Sequence, residues 1–321
     1  MADPSSVAAI GTANGPGRQR LAIIGSGVVG TATGLGFAAA GHPVTFCDLA
    51  TDRLALLRSR GLRAVDPEGL LLEEFDSYFI SVPSPTVRGR VELGYVLAAA
   101  RTVGRALASK GHAQWPLVVV RSTVPPGTTE GVVREALEVA SGLTAGQDFG
   151  LCMNPEFLRE LSAESDFMNP RVIVIGALDR RSERALRRIY EGWEGVAVVS
   201  LDLRAAELAK YTSNLFNAAK ISFFNELEEV ALALGVDPRQ VFAAVAAGCE
   251  GMWNPQYGTR GLAPFGGACL PKDTAGFLGF AEDVGLAAAM PMLRATLETN
   301  ERIASRQVGA EASWGGDAEA L

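Results

Sequence analysis

Over the first two hundred residues the apolar positions fall in short unbroken runs: LAII at 21–24, then runs within 78–83, 117–125, 149–155, 171–176 and 196–200. Runs this short, bounded by Gly, Pro and Asn, read as strands buried on both faces, the habit of parallel sheets. Stretches of helical spacing such as LGYVLAAARTVGRALAS separate them. Alternating strand and helix predicts a doubly wound parallel α/β sheet that binds ligands at the carboxyl ends of its strands. From Asp202 the texture changes: LDLRAAELAKYTSNLFNAAKISFFNELEEVALALG has neither Pro nor Gly before Gly235 and predicts one long helix, with further helices over 239–247, 272–286 and 291–308. The expected organisation is a disordered tail at 1–19, an α/β domain at 20–200, a mostly helical domain at 201–308 built on a long central helix, and a polar tail at 309–321.

The turn after the first run is GSGVVG, so Gly25, Gly27 and Gly30 match G-x-G-x-x-G, and Asp48 closes the second strand eighteen residues later. Glycines there allow a tight turn, close backbone approach to a pyrophosphate and close helix packing, while the helix N-terminus favours phosphate charge. An acid at Asp48 accepts from the ribose hydroxyls and repels a 2′-phosphate, so NAD is expected over NADP. The first domain is therefore read as Rossmann-like. Val28, Val29 and Arg53 belong to the same expected cofactor set. SVPSP (Val82, Pro83) and RSTVPPGT (Ser122, Thr123) stand at strand ends where a nicotinamide would lie, although their prolines also suit plain turns.

Composition narrows the chemistry. A net charge of −7 disfavours nucleic acid and anionic membrane as partners, and no apolar run is long enough for a spanning helix. Four scattered cysteines fit a reducing cytoplasm, and with only two histidines no His-based metal site is expected. Acid–base work falls to Lys, Asp, Glu or Cys. Of 29 basic residues only Lys110, Lys210, Lys220 and Lys272 are lysines, so a retained lysine points to a need for a compact ammonium.

Three segments concentrate such groups. Lys210 and Asn214 are four apart on the long helix and share a face, either as a solvated stripe or as a pair that holds an oxyanion. In NPEFLREL, Glu156 can act as a base and Glu160 as a substrate or backbone anchor, or both can be surface carboxylates. In FGGACLPKD, glycines precede Cys269 and a helix begins near Lys272, with Asp273 adjacent; a helix N-terminus and a nearby ammonium lower a thiol pKa, which favours a nucleophile over a structural cysteine.

In order and spacing, GSGVVG, SVPSP, RSTVPPGTT, NPEFLRE, AELAKYTSN and FGGACLPKD resemble the UDP-glucose/GDP-mannose 6-dehydrogenases over about residues 20–308. The resemblance implies NAD-dependent oxidation of a sugar C6 alcohol to the carboxylate in two hydride transfers. It makes Cys269 the nucleophile of a thiohemiacetal and thioester, and Lys210 and Asn214 the oxyanion holders. Asp273, Glu156 and Thr123 would surround the hydrolytic water. Glu160, Phe157, Leu158, Lys272, Phe265 and Gly266 would line the substrate, and Lys272 would also reach the cofactor. A homodimer through the central helix is implied as well. Three departures stand out: the expected absence of the family's third, nucleotide-binding domain; Gln256-Tyr257-Gly258 where an Arg-Ile-Gly is usual; and Leu161 and Val28-Val29 in place of a glycine and a tyrosine-containing turn. They lead to the expectation of a non-UDP sugar conjugate, such as a nucleoside or small glycoside of specialised metabolism. The alternatives are an ordinary UDP-sugar 6-dehydrogenase and a non-catalytic NAD-binding remnant.

Overall fold

Each of the six apolar runs forms a strand. In chain order the strands are β1 (Leu21–Ile24), β2 (Val44–Cys47), β3 (Ala64–Val65), β4 (Ser77–Ile80), β5 (Thr86–Val87), β6 (Arg90–Val91), β7 (Leu117–Val120), β8 (Gly150–Met153), β9 (Val172–Ala177) and β10 (Ala197–Leu201). The helices are α1 (Val28–Ala39), α2 (Thr51–Ser59), α3 (Pro67–Leu71), α4 (Gly94–Ala108), α5 (Arg134–Ser141), α6 (Ala163–Met168), α7 (Arg180–Ile189), α8 (Leu203–Ala233), α9 (Pro238–Gly248), α10 (Glu250–Trp253), α11 (Leu270–Asp283) and α12 (Pro291–Trp314). This computed structural model describes residues 18–88, 90–109, 115–255, 257–259, 263–267 and 270–314, with side chains for all of these but Lys272, Asp273 and 307–314. Strands β4, β7 and β8 stop short of the expected ends, and Pro83, Pro125 and Pro155, which have no N–H to give a ladder, follow each of them.

Eight strands form one sheet in the order β10-β9-β8-β7-β4-β1-β2-β3, and β5 and β6 pair separately as a hairpin. The neighbours from β3 to β8 are parallel, as expected. The doubly wound parallel sheet is present, with one seam that the sequence did not foretell: β9 runs antiparallel to β8, and β10 is parallel to β9. Between β8 and β9 lie an irregular stretch, one 3₁₀ turn and the six-residue α6, which is too short to carry the chain back along the sheet. The chain therefore re-enters at the edge it left.

Alternate residues of each central strand feed two cores. Ala22, Ile24, Ile80, Val118, Val120 and Met153 face α4 and α5 through Val96, Val103 and Leu137. Leu21, Ile23, Phe79, Val119 and Cys152 face α1, α6 and α7, where Phe37, Phe167, Tyr190 and Trp193 pack edge to face. The second core is tight because glycines stand where rings arrive. A Cβ on Gly36 would lie 2.0 Å from the Phe167 ring.

The antiparallel seam overlaps by two residues, Cys152↔Ala177 and Met153↔Gly176. That short register sets the ends of β9 and β10 level with the end of β8, so α8 starts beside the carboxyl edge of the parallel strands. Gly176 permits the approach, since a Cβ there would meet Ala206 Cβ at 2.5 Å.

The chain packs as two compact units, one ending at Ser213 and the other beginning at Asn214, within α8. The second is helical. Val230, Ala281 and Met290 form its core, with Phe277, Leu286 and Leu293 against them. Glu226 caps α12 by accepting from the Met292 and Leu293 N–H groups at 2.5 and 3.3 Å. Helix α12 reaches Trp314, past the expected end at 308; its last turns, GAEASW, hold two alanines and a glutamate that favour helix.

Candidate active site

The glycine turn forms the floor of a cleft of about 630 Å³. Gly25 adopts φ +93°, and a Cβ there would meet the Ser81 carbonyl oxygen at 2.5 Å. A Cβ on Gly30 would lie 1.9 Å from the Gly25 carbonyl oxygen, whereas one on Gly27 meets nothing within 4 Å. Gly25 and Gly30 are thus required by packing, and Gly27 keeps space open at the first turn of α1. That turn has no side-chain cap and no acidic residue, so its N–H groups and positive end are available to an anion.

Asp48 lines the same cleft. Its carboxylate accepts from the Ser26 N–H at 2.7 Å, the Ser26 hydroxyl at 2.5 Å and the Ala50 N–H at 3.0 Å. Burial favours the neutral acid, but hydrogen bonds from Ala50, Ser26 and Leu49 outweigh it and hold the carboxyl below the usual range. Arg53 rims the cleft and donates to the Ser26 carbonyl oxygen at 3.0 Å. At neighbouring Cys47, burial first and then the Asp48 and Asp66 charges push the thiol up to about 12, which disfavours the thiolate.

The opposite wall comes from the ends of β4, β7 and β8. Two hydrogen bonds lace its loops together, Ser122 Oγ to the Val82 carbonyl oxygen at 2.7 Å and Ser84 Oγ to the Thr123 carbonyl oxygen at 2.5 Å. Val28, Val29, Val82, Pro83, Ser122, Thr123 and Glu156 all line the cleft. Glu156 Oε1 pairs with Lys210 Nζ at 2.8 Å, with the two side chains 11 % and 7 % exposed, and its other oxygen accepts from the Leu158 N–H at 2.7 Å. The Phe157 ring lies 5.7 Å from the same ammonium.

The fold has close counterparts. The chain matches the NAD-binding domain of the UDP-glucose/GDP-mannose dehydrogenase family over residues 69–194 and that family's central domain over 204–302. The solved UDP-glucose dehydrogenase of Pyrobaculum islandicum is 40 % identical, with a TM-score of 0.68 over 89 % of this chain and 68 % of that one. The chain belongs to the UDP-glucose/GDP-mannose dehydrogenase family. A ternary complex of GDP-mannose dehydrogenase from Pseudomonas aeruginosa superposes with a TM-score of 0.83 at 32 % identity, over 92 % of this chain and 71 % of that one. The GDP-mannose 6-dehydrogenase of Pseudomonas aeruginosa is 36 % identical over 276 residues, 79 % of this chain; the match spans 62 % of that relative's length.

NAD is the cofactor of this family's first domain, and the residues fit it. Gly27 leaves room for a pyrophosphate at the bare first turn of α1, and Asp48 offers a carboxylate in the same cleft that could accept from ribose hydroxyls. The Ser81 hydroxyl, buried at the glycine turn, has no hydrogen-bond partner.

The structure brings Lys210, Glu156 and Thr123 to the first unit's cleft region but separates Glu156 from Glu160. Residues 154–159 are not helical, so the two glutamates do not share a face; Glu160 opens a 3₁₀ turn and lines a second pocket with Ser26, Val28 and Arg53. Leu158 is half-buried and packs on the second core. In the second unit Asn214 is exposed on α8, and Gly266 is exposed before α11. Cys269 lies outside the described residues, as do the side chains of Lys272 and Asp273.

Three neighbours of the candidate site residues escaped the sequence reading. Glu207, fully buried one turn before Lys210, accepts from the N–H groups of Gly127 and Thr129 and so fastens α8 to the loop that follows Thr123. Its carboxyl is pushed up, burial outweighing those bonds. Asn300 of α12 grips the backbone of Phe265 on both sides, accepting from its N–H at 2.7 Å and donating to its carbonyl oxygen at 3.0 Å. Arg121, at the end of β7, is buried in the cleft wall. The one available signal was a charged residue inside an apolar segment, in RAAELAK and in VVVRST.

Replacing Lys210 with Met strands the Glu156 charge and is expected to destabilise the protein by about 3–5 kcal/mol, while adding Glu156→Gln restores much of the loss. Urea denaturation of the two single variants and the double variant measures the coupling, and additive losses would show that the two charges do not stabilise each other in solution. Asp48→Ala is expected to weaken NAD about tenfold and to narrow its advantage over NADP. Calorimetric titration with both dinucleotides checks this. Because the Asp48 pKa is depressed, the wild-type preference should persist as pH falls through the ordinary carboxylate range and fade only below it.

Proposed function

We propose that the protein oxidises the C6 primary alcohol of a sugar to the carboxylate with two equivalents of NAD. The observation that supports this best is the buried Glu156–Lys210 pair, with Glu156 in the wall of the NAD cleft beside Thr123. Bound NAD supplies the hydride acceptor in both steps. In the first, the alcohol loses a proton and C6 loses a hydride to leave the aldehyde. The Lys210 ammonium, with Asn214, holds the developing alkoxide charge. The Cys269 thiolate then bonds to C6, and the thiohemiacetal retains the aldehyde in the site. Loss of the second hydride gives a thioester. Water, activated by Glu156 or Asp273, adds to the thioester; the C–S bond breaks, and carboxylate and thiol are released. One alcohol and one water thus yield one carboxylate, two NADH and three protons.

For the substrate we favour a sugar conjugate without UDP, such as a nucleoside or small glycoside. The support is residue-level: Gln256-Tyr257-Gly258 replaces the usual Arg-Ile-Gly, and Leu161 is fully exposed where a glycine is common. The relatives named for GDP-mannose and UDP-glucose favour a second reading, a nucleotide sugar. An NADH assay with UDP-glucose, GDP-mannose and a panel of nucleosides and glycosides separates the two, and rapid turnover of either nucleotide sugar at micromolar concentration overturns the first. Two NADH per product are expected, and Cys269→Ala should slow NADH formation by at least about a hundredfold while NAD still binds. One NADH per product, or an unaffected variant, refutes the thioester route.

We further propose a homodimer formed through α8, where Leu215, Phe216 and Ile221 are each at least 60 % exposed. Light scattering should give twice the chain mass, and Leu215→Asp with Phe216→Asp should halve it. A wild-type monomer at micromolar concentration removes the proposal.

A further inference from the structure

Arg121 presents a physical problem that the reaction does not use. Its residue is 4 % exposed. Its guanidinium donates to Thr33 Oγ1 at 2.8 Å, to Asn154 Oδ1, and to the Tyr190 hydroxyl at 3.1 Å, and it lies 5.3 Å from the Phe167 ring. Tyr190 in turn donates to Asn154 Oδ1 at 2.6 Å, and Asn154 Nδ2 donates to the Val174 carbonyl oxygen at 2.7 Å. All of these partners are neutral, so among the described residues no carboxylate pairs with Arg121. A buried cation without an anion is strongly unfavourable, and a neutral donor could link Thr33 and Asn154 with less loss. What distinguishes arginine here is its charge.

The position of that charge is informative. Thr33 belongs to α1, whose uncapped first turn would hold the cofactor's pyrophosphate, and Arg121 is part of the wall of the same cleft. The Ser81 hydroxyl, one residue past the end of β4, is the second group there that lacks a partner. An unmatched cation and an unmatched donor, set behind a helix N-terminus that carries no acidic residue, all call for one acceptor-rich anion.

We propose that Arg121 is a positioning residue that provides the fixed counter-charge for the cofactor's pyrophosphate, acting across the start of α1 rather than by contact. The protein then holds an uncompensated positive charge until the dinucleotide arrives. Adenosine, which has no phosphate, gains nothing from it, while NAD and ADP-ribose gain equally. A unit charge roughly 10 Å from an anion at an effective dielectric constant of about 20 is worth about tenfold in affinity.

Two variants test this by different routes. Arg121→Gln removes the charge. Asn154→Asp keeps the guanidinium in place but gives it a carboxylate of nearly the same shape. Titration calorimetry with NAD, ADP-ribose and adenosine is expected to show both variants binding NAD and ADP-ribose about tenfold more weakly, with adenosine changed by less than about twofold. Arg121→Lys, which keeps the charge without the guanidinium fork, should retain most of the NAD affinity even if its thermal midpoint drops. A purely structural role predicts otherwise: Arg121→Lys would lose affinity as Arg121→Gln does, or all three ligands would weaken together. Unchanged NAD binding in folded Asn154→Asp also overturns the proposal. Thermal melts without cofactor establish which variants are folded; if Arg121→Gln is not, Asn154→Asp and Arg121→Lys still decide the matter.

Discussion

The first unit depends on a contact that only glycine can make. A Cβ on Gly30 would sit 1.9 Å from the carbonyl oxygen of Gly25, and one on Gly25 would strike the Ser81 backbone. Because both positions lack one, α1 docks directly onto the ends of β1 and β4. The bare N–H groups of its first turn then face the cleft, and Asp48 at the end of β2 can bind back to Ser26. The glycines at 34 and 36 continue the approach against Phe46 and Phe167. Cofactor site and hydrophobic core therefore rest on the same close packing, and a side chain at Gly30 would disrupt both.

A second constraint governs α8. A helix laid beside the carboxyl edge of a sheet meets loops whose backbone donors are uncommitted. Glu207 satisfies two of them at Gly127 and Thr129, and three residues later Lys210 meets Glu156. These charged contacts on successive positions of one face fix the helix in rotation as well as in place. Hydrophobic burial alone does not discriminate so finely, because Leu and Ala along α8 tolerate small rotations. The placement of Lys210 is thus a product of the Glu207 contact and of Gly176, which lets the helix come close.

The parallel part of the sheet was legible because its strands are buried on both faces and read as continuous apolar runs. The glycine fingerprint was legible because backbone geometry demands a particular residue type. The reversal at β9 was not, since strand direction is decided by how the intervening chain packs, and VIVI reads identically either way. For the same reason the separation of Glu156 from Glu160 could not be read from their spacing, since the irregular chain after Pro155 is set by packing. Arg121 and Glu207 escaped notice because a charge within an apolar segment has no fixed meaning until its neighbours from distant segments are known: Thr33, Asn154 and Tyr190 for the one, Gly127 and Thr129 for the other. Asn300 likewise acts on a residue 35 positions away.

The two-residue overlap between β8 and β9 makes a seam in the sheet, where every other junction among its central strands has four paired residues. Few backbone bonds hold that line, and side chains supply much of the rest: Asn154 on one side reaches Val174 and Tyr190 on the other. A sheet with a thin junction in its interior opens there first, as a cooperative block rather than residue by residue. Amide hydrogens of β9 and β10 should therefore exchange as a group ahead of those of β1 and β4, which makes this polar cluster a rivet between two foldons.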